Sequence, residues 1–236
     1  MLRRQIVTAV AVTVALTVLL GVVYPLAVWA VGQTAFRHQA NGSFVSLNGK
    51  VVGSSLIGQN FIDKDGNPDL RYFQPRPSAA GNGYDAMNSS SSNLGPSNPK
   101  LVGQCNPVLK KDDKGNPVVD AKGNAVDETN ADGSPVCDPN SVPQRVLAYR
   151  AAYDLAANEP VPVDAVTASG SGLDPQISLA NALIQARTVA LRRRMTVGAV
   201  TALVMSHTED RQLGFLGEKA VNVLELNLAL DRAESR

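Results

Sequence analysis

No charged side chain occurs between Gln5 and Phe36. Within that run, Ile6 to Val31 consists mostly of Val, Ala, Leu and Thr, and as a helix it would reach roughly 39 Å. A bilayer core of about 30 Å takes about 20 such residues, so the segment ties the rest of the chain to a membrane. A secretory signal is the competing reading, but its apolar core runs only about 7–15 residues and ends in a small-residue cleavage site. Tyr24 and Trp29 sit near the far end, where aromatic side chains settle at the interface. A retained transmembrane anchor is the expectation, with residues 1–36 forming the cytoplasmic tip and the span.

Arg3 and Arg4 precede the span, whereas Arg37 and Lys50 are the nearest Lys or Arg behind it. The positive-inside bias puts the N-terminus in the cytoplasm and residues 37–236 outside. Cys105 and Cys137 could then pair in an oxidising compartment; two unrelated thiols are the alternative. Ala9, Thr13, Thr17 and Gly21 recur every four residues. Such a small-residue face lets a second helix approach where lipid gives no hydrophobic drive, although Ala and Thr are common enough in spans for chance to place them so. Pro25 should bend the outer end, because it removes a backbone donor.

Composition narrows the function. Lys and Arg number 22 against 21 Asp and Glu, a net charge of +1. No clustered basic footprint marks a nucleic-acid binder. Two cysteines and two histidines are too few for a closed Cys/His zinc site unless all four converge.

Beyond the anchor, Phe44–Leu47 and Lys50–Val52 flank Asn48-Gly49, the pair that tolerates the positive φ of a two-residue hairpin turn. Residues 74–99 are rich in Pro, Gly, Ser and Asn, so they are either mobile or pinned by side-chain hydrogen bonds. Residues 103–143 read as an inserted surface excursion. Asp113-Lys114-Gly115-Asn116-Pro117-Val118 is echoed from Asp120 to Val126 and again from Asp132 to Val136, with the two cysteines at the neck. Ser141 and Gln144 form a capping-box pattern for a helix over Gln144–Ala157. Asp174-Pro175 reads as a cap followed by proline at the first helical position. That predicts a helix to about Arg194 with Ile177, Ala180, Leu183, Ile184 and Leu191 on one side. Thr196 caps another helix, and Val221–Leu226 reads as a final strand whose leucines also suit a helix. The fold class is α+β: one N-terminal transmembrane helix followed by one mixed α/β extracytoplasmic domain.

Motifs for chemistry fail one after another. There is no Gly-x-x-x-x-Gly-Lys-Ser/Thr, and Gly170-Ser171-Gly172 lacks the third glycine of a dinucleotide loop. Asp63-Lys64-Asp65-Gly66 departs from a calcium loop, with Pro68 and Gln74 where glycine and a bidentate Glu belong. Neither His38 nor His207 has a ligand at metal spacing, and His207 reads as structural. Ser97 and Lys100 satisfy Ser-x-x-Lys, the pairing of acyl-serine enzymes, but the companion motifs are missing or out of order. Arg192-Arg193-Arg194 suits a helix C-terminus, where cations complement the dipole.

Longer phrases carry more. Tyr72-Phe73-Gln74-Pro75-Arg76-Pro77-Ser78-Ala79, Tyr84-Asp85, and Ser92-Asn93-Leu94-Gly95-Pro96-Ser97-Asn98-Pro99 come first. Val166 to Pro175 with Ser169 and Asp174, then Leu213-Gly214-Phe215-Leu216-Gly217-Glu218, follow in order. Together they resemble the C-subunit family of the Kdp potassium-transporting P-type ATPases. Gln176 stands where many members have His, which weakens any proton or metal role there, and the 103–143 excursion is absent from shorter members.

The resemblance implies a bacterial plasma-membrane complex that imports potassium. Its expected partners are a channel-like subunit, the P-type ATPase subunit and a small peptide subunit. The complex uses ATP, Mg and K+; this chain, lacking Asp-Lys-Thr-Gly, is expected to bind none directly and to be no enzyme by itself. Stabilising assembly and capping the external potassium entrance is the leading role, with Ala9, Thr13, Thr17, Gly21, Tyr72, Arg76, Ser78, Asn93, Asn98, Ser169 and Asp174 as partner-contact or signature positions. A catalytic chaperone raising the ATPase subunit's affinity for ATP is the alternative, and a membrane-anchored Ser-Lys acyl enzyme a further one.

Overall fold

The computed structural model describes residues 1–95, 97, 98, 101, 105, 107–120, 122 and 124–234. Pro96, Pro99 and Lys100 lie outside them, as do Gly103 at the head of the excursion and Ala121 and Gly123 of its second repeat. Two compact units result, Met1–Leu56 and Ile57–Arg236.

In the first unit, Leu2–Ala35 is one apolar helix of 34 residues with none of its most apolar window buried. It consists of α1 (Leu2–Val18), a π-helical turn (Leu19–Val23) and α2 (Tyr24–Ala35). The π turn answers Pro25: the ring removes one donor, and the ladder widens just upstream so that Tyr24 N donates to Leu19 O. A short α3 (Arg37–Ala40) follows, stitched back by paired amides of Gln33 and Asn41. The hairpin forms as its turn demands: β1 (Phe44–Leu47) pairs antiparallel with β2 (Lys50–Ser54), and Asn48 and Gly49 both take positive φ, 51° and 78°.

The second unit is built on α4 (Val142–Tyr153), α5 (Val163–Val166), β3 (Gln176–Ser178), α6 (Leu179–Arg193), α7 (Val197–Ser206), β4 (Thr208–Glu209), β5 (Ala220–Asn222) and α8 (Val223–Glu234). β5 is the central strand, antiparallel to β3 on one side and β4 on the other. α6, α7 and α8 supply most of the core: Ala186, Val189, Ala190, Val200, Val204, Leu226 and Leu230 close around Phe73, Ile177 and Val221. A second cluster joins Tyr149, Tyr153 and Val166.

Several expected elements are corrected. Asp174 does not start a helix: its Oδ1 accepts from Gln176 N, and the chain then runs extended because β5 offers Ile177 a partner in Val221. The helix begins at Leu179, capped by Ser178 Oγ accepting from Asn181 N. Its buried face is not the leucine face. Leu183 and Leu191 are exposed, while Asn181, Gln185 and Arg193 are buried. α4 starts two residues before Gln144 and stops at Tyr153, where Asp154 turns left-handed. Ser141 holds the N-cap position, but its hydroxyl makes no cap bond. The final segment is a strand only as far as Asn222 and a helix from Val223. Thr196 caps α7 as expected, accepting from Ala199 N.

Among the described residues, four short hairpins share one build. Bridges join Ile62 to Pro68, Lys111 to Pro117, Val119 to Ala125 and Thr129 to Pro135. In each, the next residue donates its N–H four residues on: Asp63 to Asn67 O, Asp112 to Asn116 O, Asp120 to Asn124 O and Asn130 to Ser134 O. In the first three, an aspartate Oδ1 also accepts two backbone N–H groups of the turn. The three hairpins of the excursion are laced by Val108 N to Val136 O and Lys110 N to Val126 O, and Cys105–Cys137 is a disulfide at their neck with Cα atoms 5.2 Å apart.

Candidate functional site

Residues 73–90 contain no helix or strand, so the backbone there must find its hydrogen bonds elsewhere. It finds many in side chains. Asn227 on α8 accepts from Phe73 N at 2.9 Å and donates to Phe73 O at 3.0 Å. Gln185 on α6 does the same for Gln74, at 2.7 and 3.1 Å. Two buried amides therefore hold the segment as two neighbouring strands would. Behind them, Gln185 donates to Asn181 Oδ1 at 2.8 Å, and the hydroxyls of Tyr149 and Tyr153 donate to Asn181 and Gln185. Asp164 closes the network, accepting from Ser178 N, Ser178 Oγ and Asn181 Nδ2 at 2.8–3.0 Å.

The next stretch is clasped to the loop before β3. Arg76 pairs with Asp174 at 3.1 Å and reaches the carbonyls of Thr167 and Ala168, both at 3.4 Å. Ser78 Oγ donates to Gly172 O at 2.6 Å and accepts from Ala80 N and Tyr84 N. The Tyr84 hydroxyl lies 2.9 Å from Arg76 O and 3.2 Å from Asp174 O. Ser169 Oγ accepts from Gly172 N, and Ser89 Oγ and Ser90 N both donate to Ser171 O. Only glycine fits at 172: its φ is +68°, and a Cβ would lie 2.5 Å from Ser90 O and 2.9 Å from Ala80 N. A Cβ at Gly58 would likewise run into the Tyr84 ring and Asp174 O. Burial, then the charge of Asp174, pushes the Tyr84 phenol up.

Arg76, Ser78, Ser169 and Asp174 thus meet in one clasp, and the Ser/Gly/Asn-rich segment is pinned rather than loose over 74–90. Tyr72 lies apart from it, stacked on Phe61 at 5.4 Å and beneath Arg193 at 4.5 Å. Asn93 is not in the clasp. Asn93 accepts from Ser91 Oγ, and Asn98 O accepts from Leu101 N. Ala9, Thr13 and Thr17 lie exposed along α1 with Gly21 in the π turn. Ser97 is exposed, but its Ser-x-x-Lys companion Lys100 lies outside the described residues. The Asp63 carboxylate serves its own turn, and among the described residues no group of three or more His, Cys, Asp or Glu gathers as a metal site.

Arg193 is a buried anchoring residue that the sequence disguised as one of three helix-end cations. It is buried, donating to Arg71 O at 2.6 Å, Glu234 at 2.6 Å and Asp231 at 2.8 Å. Arg71 in turn pairs with Asp69, and that hydrogen bond holds the Asp69 carboxyl below the usual carboxylate range. Asn181, Gln185 and Asn227 were missed too. The available signal was two amides four residues apart on the face that also carries Ala182, Ala186 and Val189.

A family model described as the c chain of K+-transporting ATPase, KdpC, matches residues 6–144 and 139–232. The KdpC subunit of the potassium-transporting ATPase from Mycobacterium tuberculosis strain H37Rv is 46% identical over 98% of this chain and 100% of its own length. That of Koribacter versatilis is 42% identical over 98% of this chain and 95% of its own. That of Methylococcus capsulatus is 45% identical over 91% and 90%.

Proposed function

The chain belongs to the KdpC family, the c chain of K+-transporting ATPases, and from that premise we propose a non-catalytic role in potassium uptake. It stabilises assembly of the complex and covers the outer entrance of the channel-like subunit. ATP, Mg and K+ are handled by the other subunits. The anchor crosses the plasma membrane with its N-terminus in the cytoplasm, and residues 37–236 lie outside. The small-residue face of Ala9, Thr13, Thr17 and Gly21 seats against a partner helix, and residues 74–99 dock on a partner's outer surface.

The observation that carries this reading is the division of labour in the chain. An apolar helix of 34 residues has none of its most apolar window buried in the chain itself, which leaves that stretch for lipid and neighbouring helices. The polar side chains of the clasp are engaged in holding a loop in shape. That is the build of a tethered, rigid contact surface. Deleting residues 37–236 should lower both the yield of complex recovered with the ATPase subunit and its affinity for potassium. Unchanged yield and affinity would sink the proposal. Protease added outside intact spheroplasts should digest the domain. Digestion only after lysis would overturn the orientation and favour the chaperone reading, since ATP is cytoplasmic.

A further inference from the structure

Charge is divided unevenly between the two units. Residues 1–56 carry Arg3, Arg4, Arg37 and Lys50 but no Asp or Glu, while residues 57–236 hold all 21 acidic side chains. Within the first unit, Gln33, Arg37, His38, Asn41 and Phe44 line an open hollow of about 630 Å³. Its frame is fixed. Gln33 and Asn41 bond to each other through both amides, at 3.3 and 3.1 Å, and Asn41 Nδ2 donates to Arg37 O at 2.6 Å. Ser43 N donates to His38 O at 3.0 Å. The amides and the main chain are thus occupied in holding the shape. Arg37 and His38 are exposed, and among the described residues neither side chain makes a hydrogen bond or an ion pair.

The place of the hollow along the chain decides what surrounds it. Gln33 is the first amide side chain after Gln5, and it stands one turn beyond Trp29, about 6 Å along the axis of α2. Tryptophan settles at the edge of the hydrocarbon, and headgroups fill about the next 5–8 Å. Arg37 follows two residues after the end of α2 at Ala35, and its long stem lets the guanidinium reach back into that layer. Phe44, 59% exposed, adds an apolar wall. A cation without a counter-charge in its own unit, set beside an apolar wall at headgroup depth, suits a phosphate that arrives with its glycerol ester and acyl chains attached. Free inorganic phosphate gains nothing from the wall.

We propose that this hollow binds the phosphate of an anionic phospholipid. Arg37 is the charged contact, His38 adds an N–H donor, and Phe44 rests against the ester region of the lipid. Binding in this place rests on residues 1–36 spanning the membrane, the reading proposed above, and is indifferent to which end faces the cytoplasm.

Trp29 is the single tryptophan of the chain, so its fluorescence reports the lipid beside this end of the helix. The full chain is reconstituted in phosphatidylcholine vesicles containing either brominated phosphatidylglycerol or brominated phosphatidylcholine, and quenching of Trp29 gives the relative binding constant. Phosphatidylglycerol should be preferred about fivefold, the equivalent of about 1 kcal/mol for one cation at the surface. Arg37→Gln should bring the ratio close to one, and Arg37→Lys should keep part of the preference. Arg4→Gln, at the other end of the helix, should leave it unchanged. No preference in the parent, or a preference that survives Arg37→Gln, overturns the proposal. So does loss of the preference when phosphate replaces chloride at equal ionic strength, which would assign the hollow to free phosphate. Quenching by neither lipid is a different failure: Trp29 would then lie outside the bilayer, and the span reading would fall together with the proposal.

Discussion

Replacing Asn227 by Leu tests whether the fold depends on side-chain amides standing in for a strand. Leu shares the branching and the number of side-chain heavy atoms of Asn and suits its neighbours Leu226 and Leu230, so the change removes two hydrogen bonds without opening a cavity. Phe73 is 0% exposed, and its N–H and C=O would both lose their partner. Each buried unsatisfied group costs about 1–3 kcal/mol, so the pair costs about 2–6. Burying more apolar surface returns about 1–2 kcal/mol. The net is a loss of about 3 kcal/mol, and for a domain of this size each kcal/mol lowers Tm by about 2–4 °C. Thermal unfolding of the full chain in detergent, followed by circular dichroism, should therefore drop by about 6–12 °C. Amide exchange at Phe73 and Gln74 should accelerate in parallel. Asn227→Asp sharpens the test: a carboxylate faces Phe73 O and repels it, while the protonated acid regains an O–H donor. Its folded-state pKa is raised, so its stability should approach that of Asn227 only below about pH 4. A Tm within about 2 °C of the parent for Asn227→Leu, with Phe73 still protected, would refute the argument.

Further outcomes follow from other contacts. Gly172→Ala forces a Cβ against Ser90 O at a φ of +68°, which should cost about 2–4 kcal/mol and expose residues 78–90 to limited proteolysis; equal resistance would contradict the clasp. The buried phenols of Tyr84, Tyr149 and Tyr153 all have raised pKa values, burial being the first cause of each. Their contribution to stability is full below the unfolded value near 10 and declines as pH rises above it, so their phenolate absorbance should appear only together with unfolding. Arg193→Met should cost about 1–3 kcal/mol, chiefly through Arg71 O losing its donor, because Asp231 and Glu234 are 34% and 56% exposed and regain water. A urea titration that leaves the midpoint unmoved would refute that assignment. Reducing Cys105–Cys137, which spans 32 residues, should speed amide exchange in the hairpins of 107–136 while α6 and α8 keep their protection; equal acceleration in both would contradict a closed neck.

Local chemistry was legible, and distant chemistry was not. Asn48-Gly49 announced its hairpin because the turn needs two positive φ values and few residues supply them. Thr196 announced its helix because the cap bond spans three residues. Asp174-Pro175 carried an equally good local signal and misled, since β5, more than forty residues on, decides that Ile177 is extended. The inner face of α6 was misread because leucines were weighed above amides. Asn181 and Gln185 are buried on account of Tyr149, Tyr153 and Gln74, and the partner of Gln74 lies 111 residues away. Asn227 and Phe73 are 154 apart. The clasp was half visible. Its phrases marked Arg76, Ser78, Ser169 and Asp174, yet nothing in their spacing said that these four would meet.

The repeated hairpins of the excursion carry a consequence for how such a chain can change length. Each is shut by bonds among seven consecutive residues, so it can form before any remote contact exists and demands nothing of α6, α7 or α8. The disulfide joins the two arms of the excursion at Cys105 and Cys137, so the hairpins beyond it hang from a closed neck. Adding or losing one hairpin alters closure entropy by well under about 1 kcal/mol. The excursion is therefore free to grow and shrink in whole-hairpin steps, like links on a chain, while the core keeps its dimensions.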